Sequence, residues 1–295
     1  MSTPFTIALV QMSVPADPTK SVAKAEQFIR RAARQGADVV CLPELFRTPY
    51  FCQHEDPDNF NLAEPVPGPT TRLLAATARE EQVVVLASLF ERRGPGVHHN
   101  TLALLDADGE LAGLYRKMHI PDDPGYYEKY YFAPGDTGFK AFTTRFGRIG
   151  ALVCWDQWFP EAARLTALQG ALALVYPTAI GWHPEEKSEY GDEQLEAWVT
   201  VQRGHAVANG IYVAAVNRIG HEIPATGGQG IEFWGNSFVA GPMGEILCRG
   251  HAKNEEILMA RIDPQRVETV RRHWPFLRDR RIDAYDELTR RFLDP

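Results

Sequence analysis

Arg148-Ile149-Gly150-Ala151-Leu152-Val153-Cys154-Trp155-Asp156-Gln157-Trp158-Phe159-Pro160-Glu161 is the stretch whose reading decides the fold. Ile149 to Val153 is a short apolar run with β-branched members, which predicts a buried strand. Pro160 suits the first turn of a helix, and Glu161 to Leu168 carries a helical apolar stripe. Cys154 is therefore expected in a strand-to-helix turn, where free backbone N–H groups and a positive dipole end favour thiolate over thiol. A lone cysteine more often packs as a small hydrophobe. The polar and aromatic residues crowding this turn favour a nucleophile instead.

Working outward, Thr6 to Met12 reads as a strand and Asp17-Pro18 as a helix start, with Val22, Ala25, Phe28, Ile29 and Ala32 on one face up to Gly36. Ala37 to Glu44 reads as a second buried strand, with Glu44 just past its end. After Pro67-Gly68-Pro69 a helix is expected from about Thr70 to Glu80, then a strand from Val83 to Phe90. Asn100 to Leu105 and Leu111 to Tyr115 flank Asp106-Ala107-Asp108-Gly109, a hairpin signal that delivers Lys117. A loop rich in Pro, Gly and Tyr (Pro121 to Gly138) precedes a second hairpin through Phe146-Gly147-Arg148. Ala171 to Tyr176 reads as a strand, Trp182 to Asp192 as a polar loop, and Glu193 to Ala208 as a helix. Four further strands follow: Tyr212 to Asn217, Gly235 to Ala240, Glu245 to Leu247 and Glu256 to Ile262. Strands alternate with helices, but tight hairpins interrupt them, as they would not in a purely parallel sheet. Two mixed sheets packed face to face, each covered by helices, fit better. No repeat or linker divides the chain, so one domain is expected. Its charged, aromatic tail from about 264 to 295 is expected to dock on a partner subunit.

Composition narrows the function. The 295 residues are 44% hydrophobic and 23% charged, as in an ordinary globular protein with a substantial core. A net charge of −7 with no basic run argues against nucleic-acid binding. Neither a signal peptide nor an 18-residue apolar run is visible, so no membrane is expected and a cytoplasmic location is. Cys41, Cys52, Cys154 and Cys248 show no metal-ligand spacing; counting leaves disulfides open, but free thiols in a reducing compartment are the simpler reading.

Glu44, Lys117 and Cys154 each follow an apolar strand directly, and ligands of layered α/β folds sit beyond strand ends. Alone, Glu44 reads as a solvated cap and Lys117 as a surface charge. Together they supply a general base, an oxyanion-holding ammonium and a nucleophile.

Pro43-Glu44-Leu45, Tyr115-Arg116-Lys117-Met118-His119 and Val153-Cys154-Trp155-Asp156 resemble the three signature segments of the carbon–nitrogen hydrolase (nitrilase) superfamily, in the family order. Longer segments sharpen the resemblance toward its members acting on carbamoylated amines: Gly125-Tyr126-Tyr127-Glu128-Lys129, Phe132 to Phe139, Cys154 to Glu161, Tyr176 to Gly181, and Asn217-Arg218-Ile219-Gly220. The resemblance implies a four-layer αββα sandwich, no cofactor, no metal, a Glu44–Lys117–Cys154 triad supported by Glu128, and a homo-oligomer. It places the Trp155 backbone N–H in the oxyanion hole. It also implies a small-molecule carbamoyl-amine substrate, N-carbamoylputrescine, cleaved to putrescine, ammonia and carbon dioxide through a cysteine thioester.

The distal ammonium of that substrate needs acidic or aromatic partners. Candidates are Asp122, Tyr50, Trp182 and Glu186, with Thr178 beside them, although each also reads as an ordinary loop residue. The alternatives are an amidase for N-carbamoyl-β-alanine or another carbamoyl amino acid, a nitrilase, and a catalytically silent scaffold. A Cys–His hydrolase would use His119 or His205. Serine and metallo-hydrolase readings lack their motifs: Gly235 to Val239 misses the second glycine of the nucleophile elbow, and His221-Glu222 misses the second histidine. His98-His99 reads as a solvated turn.

Overall fold

The computed structural model describes residues 3–293. Two six-stranded mixed sheets lie face to face, flanked by helices. In chain order the elements begin with β1 (Phe5–Gln11), α1 (Pro18–Arg34), β2 (Val39–Cys41), α2 (Pro69–Glu81), β3 (Val84–Gly94), β4 (Val97–Leu105) and β5 (Leu111–Arg116). A single turn, α3 (Glu128–Tyr131), interrupts the long loop that follows. Next come β6 (Lys140–Thr144), β7 (Gly147–Ala151), α4 (Pro160–Leu168), β8 (Ala173–Thr178), β9 (Gly181–Trp182) and α5 (Lys187–Asn209). The chain then forms β10 (Tyr212–Asn217), β11 (Ile219–Glu222), β12 (Ile231–Trp234), β13 (Phe238–Ala240), β14 (Ile246–Arg249), β15 (Glu256–Ile262) and α6 (Pro264–His273).

One sheet runs β15-β1-β2-β3-β4-β5 and the other β14-β13-β10-β8-β7-β6. β1, β2 and β3 pair in parallel, as do β7, β8 and β10; the outer pairings are antiparallel. Period-two alternation sorts the side chains of the first sheet. Ile7 and Leu9 of β1 face the core between the sheets, which they share with Leu86, Leu104, Ile149 and Val213. Ala8 and Val10 point the other way, onto Phe28 and Ile29 of α1 and Leu74 of α2. α1 starts at the Asp17 cap, whose carboxylate accepts from the Thr19 amide at 2.8 Å. On the far side α4 and α5 pack on the second sheet, where Trp198 of α5 is fully buried between Trp234 and Phe238.

Most strand and helix expectations agree with this architecture to within the end-fraying of such elements. Four do not. The segment expected as a polar loop from Trp182 to Asp192 is helical from Lys187 onward, where it forms the first turns of α5. A small sheet, β11-β12-β9, was not foreseen; its strands are short and Gly-bounded. His98 and His99 lie within β4 rather than a turn, and His99 is buried with Nδ1 at 3.0 Å from the Ala133 carbonyl oxygen. The segment after Pro264 is only partly free: α6 buries Val267 and Val270 against its own chain. No helix among the described residues is long and apolar enough to cross a membrane, and the four cysteines are free.

Candidate active site

Four strand ends converge at one edge of the sandwich. Glu44 follows β2, Lys117 follows β5, Cys154 follows β7, and the loop after β8 closes the other side. Lys117 is completely buried, and its ammonium donates to Glu44 Oε1 at 2.8 Å and to Glu128 Oε2 at 2.6 Å. A lysine tolerates such burial only when paired. Burial alone would lower its pKa, but the charges of Glu128 and Glu44 hold it well above the ordinary value. It is a fixed cation.

Glu44 is equally buried. Its Oε1 accepts from Lys117 and also from Asn100 Nδ2 at 2.7 Å, while Asn100 Oδ1 accepts from Ser88 Oγ at 3.0 Å. Its Oε2 has no hydrogen-bond partner among the described residues. One carboxylate oxygen is thus anchored and the other left open, the arrangement needed to take a proton. Glu128 presents Oε1 to the Tyr50 hydroxyl at 2.8 Å. Burial, reinforced by the charge of Glu44 and opposed by Lys117, pushes its carboxyl up to about 7. The chain behind Lys117 is pinned by Gly135, whose amide donates to the Lys117 carbonyl at 2.8 Å. A Cβ there would lie 2.0 Å from the Arg116 carbonyl oxygen, so only glycine permits the approach.

Cys154 sits where strand gives way to a turn of 3-10 helix, at φ 42°. A non-glycine residue in this left-handed region costs about 1–3 kcal/mol and persists only if held. Asp156 holds it: Oδ2 accepts from the Val153 amide at 2.9 Å and the Tyr115 hydroxyl at 2.7 Å. The expectation of a resting thiolate is corrected here. Burial and the neighbouring Glu44 carboxylate drive the thiol well above its usual pKa, more than Lys117 and the Ala179 amide bring it down. The dipole of a five-residue 3-10 turn does not overcome that desolvation. The sulfur rests as a thiol and needs a base.

Cys154 and Glu128 open onto a cavity of about 460 Å³. Its walls are aromatic (Tyr126, Trp155, Trp158, Trp234) and its mouth carries Asp123, His183 and Glu186; no Lys or Arg is among the lining residues. The candidates for the distal ammonium divide. Trp155 and Glu186 line the cavity. Asp122 does not: it is exposed beside Lys129 at 4.0 Å, and Asp123 takes the lining position. Tyr50 is buried beneath Glu128 rather than facing substrate. Thr178 is buried too, its hydroxyl donating to Gln157 Oε1 at 3.2 Å and its carbonyl accepting from the Glu44 amide at 3.4 Å. Trp182 packs on Trp234 with its indole N–H on the Gly191 carbonyl, behind the cavity wall. A cluster fit to hold a metal ion is absent among the described residues.

Both histidines of the Cys–His alternative are engaged elsewhere. His119 is held by Asp156 Oδ1 at 2.7 Å and stacks on Phe159, while His205 Nε2 lies 2.8 Å from the Gln157 carbonyl oxygen. The sequence reading assigns no role to Asn100 or Asp123, and takes Arg218 only as part of the resembling segment Asn217-Arg218-Ile219-Gly220. Asn100 and Arg218 each carry one signal, a polar residue set against an apolar strand run.

Cys154 and Glu128 line one cavity, and Lys117 pairs behind it with Glu128 and Glu44. A thiol, a carboxylate with a free oxygen and a paired ammonium are the groups that a cysteine hydrolase of acyl compounds uses. The carbon-nitrogen hydrolase family model matches residues 6–272, and the chain belongs to that family. It is 46% identical over 96% of its length to the N-carbamoylputrescine amidase of Solanum lycopersicum, covering 94% of that protein. To the citrullinase of Francisella tularensis it is 40% identical, covering 97% of this chain and 98% of the relative. The crystal structure of a carbon-nitrogen hydrolase from Helicobacter pylori G27 superposes with a TM-score of 0.95 at 46% identity, covering 98% of this chain and all of that one.

Proposed function

We propose that the protein hydrolyses the carbamoyl C–N bond of N-carbamoylputrescine, with Cys154 as nucleophile, Glu44 as general base and acid, and Lys117 with the Trp155 amide as oxyanion holders. The observation that carries the substrate class is the cavity itself. It is walled by aromatic rings and lined by acids without a single Lys or Arg, which suits a chain ending in an ammonium. The similarity to N-carbamoylputrescine amidases supports the same reading. A substrate ending in a lone carboxylate, such as N-carbamoyl-β-alanine, would face Asp123 and Glu186 unfavourably.

As Cys154 Sγ bonds to the carbamoyl carbon, its proton passes to Glu44 Oε2. The carbonyl electron pair moves onto oxygen, held by Lys117 Nζ and the Trp155 N–H. When the oxyanion collapses, the C–N bond breaks and the Glu44 proton goes to the departing nitrogen. Water, deprotonated by Glu44, then attacks the carbonyl of the thioester; the C–S bond breaks, the Glu44 proton goes to the departing sulfur, and the carbamic acid released splits into ammonia and carbon dioxide. The overall products are putrescine, ammonia and carbon dioxide. Glu128 serves as the second anchor of Lys117. The enzyme works without a cofactor in the cytoplasm, as a homo-oligomer. Association is supported by the exposed apolar side chains Trp274, Phe276, Ile282, Leu288 and Phe292 on the tail.

A product assay comparing N-carbamoylputrescine, N-carbamoyl-β-alanine and a simple nitrile tests the substrate reading. The carbamoylated diamine should lead the series in kcat/KM. Glu186→Gln should raise its KM by roughly 10-fold or more, in line with loss of a charge partner of about 2–5 kcal/mol discounted for exposure. An unchanged KM would remove Glu186 from the diamine site. A nitrile or carboxylate-ended substrate in first place would overturn the assignment.

The pH profile follows from Glu128. Below about 7 its carboxyl takes up a proton, and Lys117 loses one of its two anionic anchors. The rate should fall on the acid side with a midpoint near 7. In Glu128→Gln that limb should disappear from a slower enzyme, and a limb near 7 surviving in the variant would show that another group causes it.

A further inference from the structure

We propose that Arg218, backed by Glu222, is a positioning residue that sets both carboxylates flanking Lys117: Glu44 through its backbone and Glu128 through Tyr50. Arg218 follows β10 directly and is fully buried. Its Nη2 donates to the Glu44 carbonyl at 2.6 Å and the Leu45 carbonyl at 3.0 Å, and its Nη1 to the Thr48 carbonyl at 3.4 Å. These carbonyls turn inward because Leu45 adopts φ 47°, a left-handed conformation that leucine rarely takes. The Leu45 carbonyl also accepts from the Thr48 amide at 3.3 Å, but the Glu44 and Thr48 carbonyls have no other donor among the described residues, so the guanidinium is what makes the turn carrying Glu44 tenable.

The charge of Arg218 is met by Glu222 Oε1 at 2.9 Å, on β11. The other oxygen of Glu222 accepts from the Tyr50 amide at 2.6 Å, and the hydroxyl of that same tyrosine donates to Glu128. Phe233 of β12 lies under the guanidinium at 5.2 Å. The small sheet β11-β12-β9 also supplies Gly181 and Trp234 to the cavity wall. One ion pair, buried at its arginine and partly exposed at its glutamate, therefore ties that wall to the two acids that share Lys117. The planar fork of arginine can serve three carbonyls and a carboxylate at once, whereas a lysine ammonium in the same place cannot.

The inference rests on Glu44 acting as the base, so the test separates the two. Parent, Glu44→Gln, Arg218→Lys and the double variant are compared by turnover of N-carbamoylputrescine and by the rate at which iodoacetamide alkylates Cys154, read by intact mass. Arg218→Lys should unfold cooperatively, keep KM within about 3-fold and lose roughly 10- to 100-fold in kcat, the scale of a misplaced catalytic group. Alkylation should slow in parallel. In the Glu44→Gln background the same change should slow alkylation by no more than about 2-fold, because residues acting through one another are not additive. A full additive loss, or Arg218→Lys within about 2-fold of the parent, overturns the proposal. If Arg218→Lys does not fold, Glu222→Gln is run through the same cycle with the same criteria, since it keeps an acceptor for the Tyr50 amide. Parental turnover and alkylation in Glu44→Gln itself would instead refute Glu44 as the base.

Discussion

Cys154→Ala should release no measurable ammonia from N-carbamoylputrescine while folding normally. Losing the nucleophile of a catalytic triad costs on the order of 10⁶ in kcat, and here no neighbouring side chain can replace it. His119 and His205 are bonded elsewhere, and the other buried thiols, Cys41 and Cys52, are held well above their usual pKa by burial. Only one sulfur atom is removed from the packing beside Leu152 and Val153, so thermal unfolding should stay close to the parent. Retained ammonia release would eliminate the covalent route, and with it the meaning given to the strained turn at Cys154.

Lys117→Met should be nearly as damaging to turnover and far worse for stability. In the proposed mechanism the ammonium is an oxyanion donor, of the kind whose loss costs roughly 10²–10³ in kcat, and the misplacement of Glu44 adds to that. Structurally it is the sole cation among the described residues in contact with both Glu44 and Glu128. Removing one member of a buried charge cluster typically costs about 3–5 kcal/mol. The sign of the pH dependence follows. Without Lys117 the Glu128 carboxyl, already pushed up to about 7 by burial, would ionise still less readily in the folded chain, so the folded form would hold its extra proton over a wider pH range. Its stability would then rise as pH falls from neutrality toward the ordinary carboxylate range. Melting curves across that range check this; a variant no more pH-dependent than the parent would mean that the lysine is not what opposes protonation of Glu128.

Part of the proposed site is legible because its three residues sit at strand ends, and strand ends can be read from apolar runs followed by a polar residue. Glu44, Lys117 and Cys154 all carry that mark, and the hairpins between them argued for mixed sheets. The supporting polar residues carry little of it. Asn100 opens an apolar strand run and would pass for a strand terminus, yet it is buried and holds the Glu44 carboxylate. Arg218 would pass for a solvated charge after β10. Its partners, the carbonyls of Glu44, Leu45 and Thr48, lie some 170 residues away in sequence. Tyr50 and Thr178 were assigned to the right neighbourhood but the wrong layer, because sequence order places a loop beside a site without saying which side chains face inward. The resting state of Cys154 was misjudged for a related reason. A turn can be seen in a sequence, but the desolvation that governs the thiol comes from the whole fold.

The most direct test of the central claim is to mix the enzyme with N-carbamoylputrescine, quench in acid within a turnover, and map the mass of its peptides. The account predicts one peptide heavier by a single carbamoyl group, with the modification on Cys154, decaying at the rate of ammonia and carbon dioxide release. Turnover with no adduct at any time, or an adduct on any other residue, would contradict it.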